Sequence, residues 1–294
     1  MARIGILGGS GLYAMAALEE VAMRTIETPF GPPSDDILEA RLGGQDIFFL
    51  PRHGRKHTLL PSEINHRANL YALKSLGVEC IIAFTAVGSL REEVRPRDIL
   101  LPLQYFDRTK QNHTFFGNGL VAHVPFGDPI CPVLHEQVVM GAQQLVDSDA
   151  RFSALRVHTE GTYVNMEGPL FSTRAESNAY RTMGFDVIGM TSLPEAKLSR
   201  EARIAYAPVA LVTDYDCWYS EAEDVHVEMV VENARANIAF AQALLEKVVP
   251  RLQAPWSKQV TTALDGAIMT DAAGIPLDKI RELGPLLSDL DLPG

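Results

Sequence analysis

The stretch IAYAPVALVTDYDCW (204–218) decides how the rest of the chain is read. Residues 204–212 form an apolar run that does not alternate with polar positions. A strand with one wet face alternates at period two, so a run without alternation predicts a strand buried on both faces. Such a strand belongs inside a sheet covered by helices. At its carboxyl end stand two aspartates, Asp214 and Asp216, one residue apart. They are either a polar exit from the core or groups that act on a bound molecule, and the other strand ends bear on the choice.

Working outward, similar runs recur at RIGILGG (3–9), DIFFLPR (46–52), CIIAFTAVGSL (80–90), DILLPLQYF (98–106), GTYVNM (161–166) and DVIGM (186–190). Helical periodicities lie between them. Ile64, Ala68, Tyr71 and Leu76 mark one face of 62–76, and Leu134, Val138, Ala142 and Leu145 mark another. Val227, Val230, Ala234, Ile238, Ala241, Leu245 and Val248 keep the spacing over roughly six turns. The pattern predicts an α/β fold, a central sheet flanked by helices, with no linker or repeat before about residue 250. Beyond it, PRLQAPW (250–256) breaks the last long helix, and a weaker helical pattern returns over 276–290, interrupted by Gly284-Pro285. The division expected is one domain over 1–250 and a C-terminal extension, 251–294, whose short helix packs on its own subunit or a neighbour.

Composition narrows the function. Of the 294 residues 47% are hydrophobic, enough for a sizeable core. The 37 acidic residues outnumber the 26 Lys and Arg, and the one basic cluster is RHGRKH (52–57). That balance argues against a nucleic-acid or anionic-membrane surface, because such binding rests on many cations neutralising phosphates. It leaves room for a small anion in a local pocket. Three cysteines far apart, with no CxxC, fit a reducing compartment. No leader or membrane-span pattern is visible, so a soluble cytoplasmic protein is expected.

In open α/β sheets the ligand sits outside the carboxyl ends of the strands. Those ends present GGSG (8–11), PRHG (51–54), TAVGS (85–89), MTS (190–192) and TDYD (213–216). GGSG alone reads equally well as a tight strand-to-helix turn, since it lacks both the Walker lysine and the full dinucleotide spacing. Its company favours an anion. Ser10 with backbone amides, the Arg52-His53 pair, and Thr85 with the amide of Ala86 can together surround one phosphate, with the guanidinium gripping two oxygens.

GGSGL (8–12), TPFGPPS (28–34), RHGRKH (52–57), TAVGSLREE (85–93), EGPLFSTRAES (167–177), MTSLPEA (190–196) and TDYDCW (213–218) resemble, in order, the motifs of the methylthioadenosine phosphorylases, the trimeric branch of the purine nucleoside phosphorylase superfamily. The resemblance runs from about residue 3 to about 250. It implies a single-domain, mixed, partly barrel-like β-sheet flanked by helices. It also implies a pentosyltransferase that cleaves methylthioadenosine with phosphate as nucleophile, giving adenine and methylthioribose 1-phosphate. Phosphate would be a co-substrate, with no cofactor and no metal, and the enzyme a homotrimer.

That chemistry asks for a proton at the purine N7 as the glycosidic bond breaks, and for phosphate held below the anomeric carbon. Asp214 and Asp216 are the candidate catalytic pair. A partly buried carboxyl keeps its proton, donates it to N7, and still accepts from the adenine N6 amino group. A 6-oxopurine presents two acceptors there and calls for an amide, so two Asp and no Asn at 213–218 point to a 6-aminopurine. By resemblance Ser10, Arg52, His53, Thr85, Ala86 and Thr191 bind phosphate. Phe171 stacks on the base, although taken alone it reads as a core aromatic. Ser172 faces the pyrimidine edge, where adenine N1 has no hydrogen for an acid to accept. Met190 contacts the ribose, and Val227 and Val230 face an apolar 5′-substituent. His57 and His123 are further candidates, the latter reaching a neighbour's site. Two features depart from the pattern. Leu170 replaces an arginine, and His226 sits beside Val227, where it could serve a 5′-hydroxyl. The alternative activity is accordingly a methylthioinosine or broad-specificity purine nucleoside phosphorylase. His53 and His57 are four apart, but no Glu or Cys accompanies them as a metal site requires.

Overall fold

The computed structural model describes residues 2–13, 15–219, 227–288 and 290; at Ser10 and 227–230 it describes the backbone alone. The strands are β1 (Ile4–Gly8), β2 (Glu19–Arg24), β3 (Ile37–Leu42), β4 (Gln45–Pro51), β5 (Cys80–Ser89), β6 (Ile99–Leu100), β7 (Gln104–Arg108), β8 (Val157–His158), β9 (Thr162–Met166), β10 (Val187–Gly189) and β11 (Ala205–Asp214). The helices are α1 (His66–Ser75), α2 (Pro132–Ser148), α3 (Arg174–Thr182), α4 (Ser192–Glu201), α5 (Val227–Val248), α6 (Lys258–Thr261), α7 (Leu277–Glu282) and α8 (Gly284–Leu287).

The strands form one mixed sheet in the order β2-β3-β4-β1-β5-β10-β9-β7, while β11, β6 and β8 continue it from the other edge of β5. β5 is the pivot. One edge pairs with β11 in parallel from Cys80 to Gly88. The other pairs with β1 over Cys80–Ala83 and then with β10 over Gly88–Ser89. Between those partners, at Phe84–Val87, that edge is left without a neighbouring strand, and the sheet divides.

Alternation along the central strands feeds two cores. Ile4 and Ile6 of β1, Cys80, Ile82 and Phe84 of β5, and Ala205, Ala207 and Val209 of β11 meet α2 and α5 on one side. Leu7, Ile81, Ala83 and Tyr206 meet α1, α4 and the tail on the other. Burial on both faces is what the unbroken apolar runs required. The run at 98–106, expected as one strand, is two, β6 and β7. Pro102 stands between them without an N–H to give a ladder. Three helical starts follow capping chemistry. The Asn65 side chain accepts from Ala68 N at 3.1 Å, Thr173 and Glu176 form a capping box on α3, and Pro132 opens α2.

Past residue 250 the chain stays on this body. Trp256 and Val260 join the core under α2 and α5, and Leu283, Leu286 and Leu287 join the one around α1. The Tyr71 hydroxyl donates to Glu282 O at 2.9 Å. Among the described residues no helix is long and apolar enough to cross a membrane.

Candidate active site

A cavity of about 420 Å³ opens where β1 and β10 part along β5. Phe84, Thr85, Ala86, Val87 and Gly88 form one wall, and the carboxyl ends of β1, β4, β10 and β11 supply others, completed by loop residues and by α5. A small ligand of nucleoside size is within the usual range for such a volume.

At one end stand the carboxyls. Asp214 and Asp216 are both buried yet line the cavity. Asp214 Oδ1 accepts from Asp216 N at 2.8 Å, and Oδ2 lies 2.7 Å from Thr213 Oγ1. Thr213 Oγ1 is also 3.1 Å from Val87 O, an atom that can only accept. One hydroxyl proton cannot serve both neighbours. If Thr213 donates to Val87 O, the Asp214 contact is completed by a proton on Asp214. Burial pushes the Asp214 carboxyl above the usual range, against the Thr213 and Asp216 N hydrogen bonds. Asp216 is raised as well, again chiefly by burial, with the Ser177 and Ser172 hydroxyls holding it down. Asp216 Oδ2 is buried without a well-formed hydrogen bond among the described residues, and its backbone is left-handed, with φ of 52°. A buried carboxyl oxygen left open at a cavity wall, on a left-handed backbone, is the kind of feature that persists where something binds.

At the other end the groups suit an oxyanion. Arg52 is buried and its fork is turned to Glu195, with Nε to Oε1 at 2.6 Å and a terminal nitrogen to Oε2 at 2.9 Å. The second terminal nitrogen donates to Phe84 O at 2.6 Å. The two-oxygen grip expected of this side chain is therefore spent on Glu195, because a buried guanidinium needs a carboxylate. One N–H on each terminal nitrogen remains. His53 Nδ1 donates to Leu59 O at 2.8 Å, and its ring stacks on His57 at 4.4 Å. Burial, helped by Arg52 and His57, lowers its pKa to about 4, so the ring is neutral. Thr85, Ala86 and Thr191 line the same end. Thr191 precedes the first turn of α4, whose free N–H groups favour an anion. The Ser10 side chain lies outside the described residues, and Gly9 beside it lines the cavity.

Between these ends, Phe171 and Met190 line the wall, with Phe171 half exposed. Ser172 is not on the lining. Its carbonyl accepts from Cys217 Sγ at 3.2 Å, and its hydroxyl donates to Met166 Sδ at 3.9 Å. Val227 and Val230 open α5, but their side chains lie outside the described residues, as does His226 altogether. One and two turns on, Ala234 and Ile238 of the same stripe reach the cavity. His57 lines it, with a left-handed φ of 52°. His123 is exposed and away from it, its backbone N–H donating to Ala267 O. Leu170 points into solvent, 82% exposed.

Some participants gave little or no signal in the sequence. Glu195 gives no signal of its role until Arg52 is placed opposite it. Gly88 was legible only as a strand-end glycine. A Cβ there would stand 2.9 Å from Asp214 Oδ1 and 3.3 Å from Asp216 Cβ. Among the described residues no group of three His, Cys, Asp or Glu side chains is placed to hold a metal.

The family model of the Phosphorylase superfamily matches residues 3–250. The S-methyl-5′-thioadenosine phosphorylase of Thermosynechococcus vestitus is 50% identical over 98% of this chain and 98% of its own. A methylthioadenosine phosphorylase sourced from an antarctic soil metagenomic library superposes with a TM-score of 0.90, at 44% identity over 97% of this chain and 99% of its own. Methylthioadenosine phosphorylase from Schistosoma mansoni, solved in complex with adenine, gives 0.83 at 36% identity, over 92% and 99%.

Proposed function

The chain belongs to the phosphorylase superfamily, and from that premise we propose that it cleaves 5′-methylthioadenosine with phosphate, releasing adenine and 5-methylthioribose 1-phosphate. It is a pentosyltransferase of purine and methionine salvage. The observation that carries the reading is the buried Asp214–Asp216 pair facing the cavity opposite the Arg52, His53 and Thr191 cluster.

The C1′–N9 bond breaks and its electron pair passes into the purine. The Asp214 proton goes to N7, and the other Asp214 oxygen or Asp216 accepts from the N6 amino group. A phosphate oxygen forms the new bond to C1′. Phosphate is held by the N–H groups of Arg52 not spent on Glu195, by Thr85 and the amide of Ala86, by Thr191 at the start of α4, by Ser10, and by His53. Phe171 covers the base, with Ser172 behind it. Met190 lies along the sugar, and Val227 and Val230, continued by Ala234 and Ile238, bound the 5′-methylthio group. Asp214 is left ionised and takes a proton back from water once the products leave, so the electron and proton balance closes with phosphate as the one co-substrate.

Residues 1–250 are assigned to catalysis and 251–294 to an extension that buttresses α1. The exposed ring of Phe171 and the outlying His123 support a homotrimer in which a neighbour closes the site. The three free cysteines support a cytoplasmic setting. The deciding assay follows adenine release from methylthioadenosine with and without phosphate. Release that is independent of phosphate refutes phosphorolysis.

A further inference from the structure

We propose that His53 makes this site selective for a protonated oxyanion, by presenting a hydrogen-bond acceptor to phosphate where an anion site would ordinarily present a donor. The inference rests on the phosphate-binding role given to this end of the cavity.

The geometry fixes the tautomer. Leu59 O can only accept, so the 2.8 Å contact places the proton on Nδ1. In a neutral ring Nε2 then carries a lone pair. Among the described residues Nε2 has no hydrogen-bond partner, while the ring itself lines the cavity. The groups around the ring keep it neutral. Arg52 precedes it in the chain, His57 stacks on its face, and His66 of α1 is near enough to interact with it, all cationic or neutral and none a carboxylate. The carboxylate that could have charged the ring, Glu195, is bound by both oxygens to Arg52. That pair also removes the net positive charge from this end of the cavity. An oxyanion therefore meets oriented N–H groups and one lone pair, with no uncompensated cation.

Phosphate suits such a site. At mildly alkaline pH it keeps one P–OH, which donates to His53 Nε2 while its unprotonated oxygens take the N–H donors. The attacking oxygen is one of the latter, so the P–OH proton stays on the same oxygen throughout transfer and appears on the sugar phosphate. Sulfate has the same shape and no proton. It sets an oxygen lone pair against the Nε2 lone pair unless the ring takes up a proton first.

The test uses the intact enzyme and inorganic anions. Phosphate and sulfate are titrated calorimetrically at mildly alkaline pH in two buffers of different ionisation enthalpy. Phosphate should bind without proton uptake, and sulfate roughly 30-fold more weakly, as for one lost hydrogen bond to a charged group. The sulfate that does bind should take up one proton per site. His53→Lys, whose ammonium can only donate, should bring the two affinities to within about threefold, given a hydrogen bond of the same size. Equal affinities in the unaltered enzyme, or sulfate binding without proton uptake, overturns the proposal. So does a variant that binds anion and keeps the full preference. Failure of phosphate to bind at all, together with phosphate-independent adenine release, instead sinks the phosphorolytic reading.

Discussion

Asp214→Asn changes one atom and separates the acid from its geometry. Oδ1 must remain an oxygen, because it accepts from Asp216 N at 2.8 Å. The amide nitrogen therefore takes the Oδ2 position, 2.7 Å from Thr213 Oγ1, and donates to it while Thr213 donates to Val87 O at 3.1 Å. The side chain keeps its place and its donor. It loses the transferable proton, while Oδ1, the oxygen left to accept from N6, is unchanged. General acid catalysis contributes about 100- to 10,000-fold, so methylthioadenosine cleavage should fall at least about 100-fold, some 2.7 kcal/mol of transition-state stabilisation. A 6-oxopurine offers N7 and O6 as two acceptors, and the amide N–H not spent on Thr213 can donate to one of them. A matched base-edge pair is worth roughly 1–3 kcal/mol of discrimination, so methylthioinosine should lose far less or gain. Stability supplies the control. The folded Asp214 pKa is raised, so the native state holds this proton after the unfolded chain has released it. That contribution is present below the unfolded pKa and is lost as pH rises through the folded one. Removing the acid should leave the variant at least as stable as the parent at neutral pH. Parallel steady-state assays on the two nucleosides, beside urea melts, decide the matter. A loss under tenfold with methylthioadenosine, or equal losses on both substrates, refutes the assignment of Asp214 as acid.

Three further changes probe the surroundings. Gly88→Ala places a methyl 2.9 Å from Asp214 Oδ1. The displaced carboxyl should cut kcat on the order of 100-fold with a small change in melting temperature; full activity would show that the wall yields. Glu195→Ala strands the buried Arg52 charge and should cost about 3–5 kcal/mol in urea unfolding. Unchanged stability would mean that Arg52 finds another partner. Glu201, at the end of α4, accepts from Phe115 N and Thr114 Oγ1, both at 2.7 Å, and burial raises its pKa to about 7. The native state thus binds the extra proton up to about pH 7, and stability should fall as pH rises from about 4.5 to that point. Glu201→Gln should flatten that slope in thermal melts taken across the interval, and an unaltered slope would assign it elsewhere.

What could be read from the sequence follows burial. β1, β4, β5 and β11 carry apolar runs because both of their faces are covered, and few other environments in a water-borne fold tolerate such a run. β2 was not legible because its residues are almost all exposed, so nothing imposes a pattern on EEVAMR. β8 is two residues long. α4 was missed for the opposite reason. Nearly every position in it is buried, including Glu195 and Arg200, and Pro194 sits in its first turn, so no stripe of one polarity appears. α3 buries only Ser177 and Tyr180. Within the site, residues at strand ends were found because the fold class says where to look. Glu195 was not, since its partner lies 143 positions away.

The two aspartates at the end of an apolar strand can now be accounted for. Had β11 kept register, Thr213 would face Gly88 and Asp214 would face Ser89. Instead the ladder skips one residue after Val212, and Asp214 is drawn back to pair with Gly88. The extra residue is Thr213, whose hydroxyl ties the bulge to Val87 O. Two residues on, the left-handed turn at Asp216 folds the chain over the same spot. Both carboxyls thus converge on the one position of the β5 wall that has no Cβ. A carboxyl in that notch is screened from water by β5 and β11 and open only to the cavity. Desolvation then raises both acids together. A polar exit from a sheet needs neither a bulge, nor a glycine opposite, nor strain at the second residue. The proposed acid uses all three.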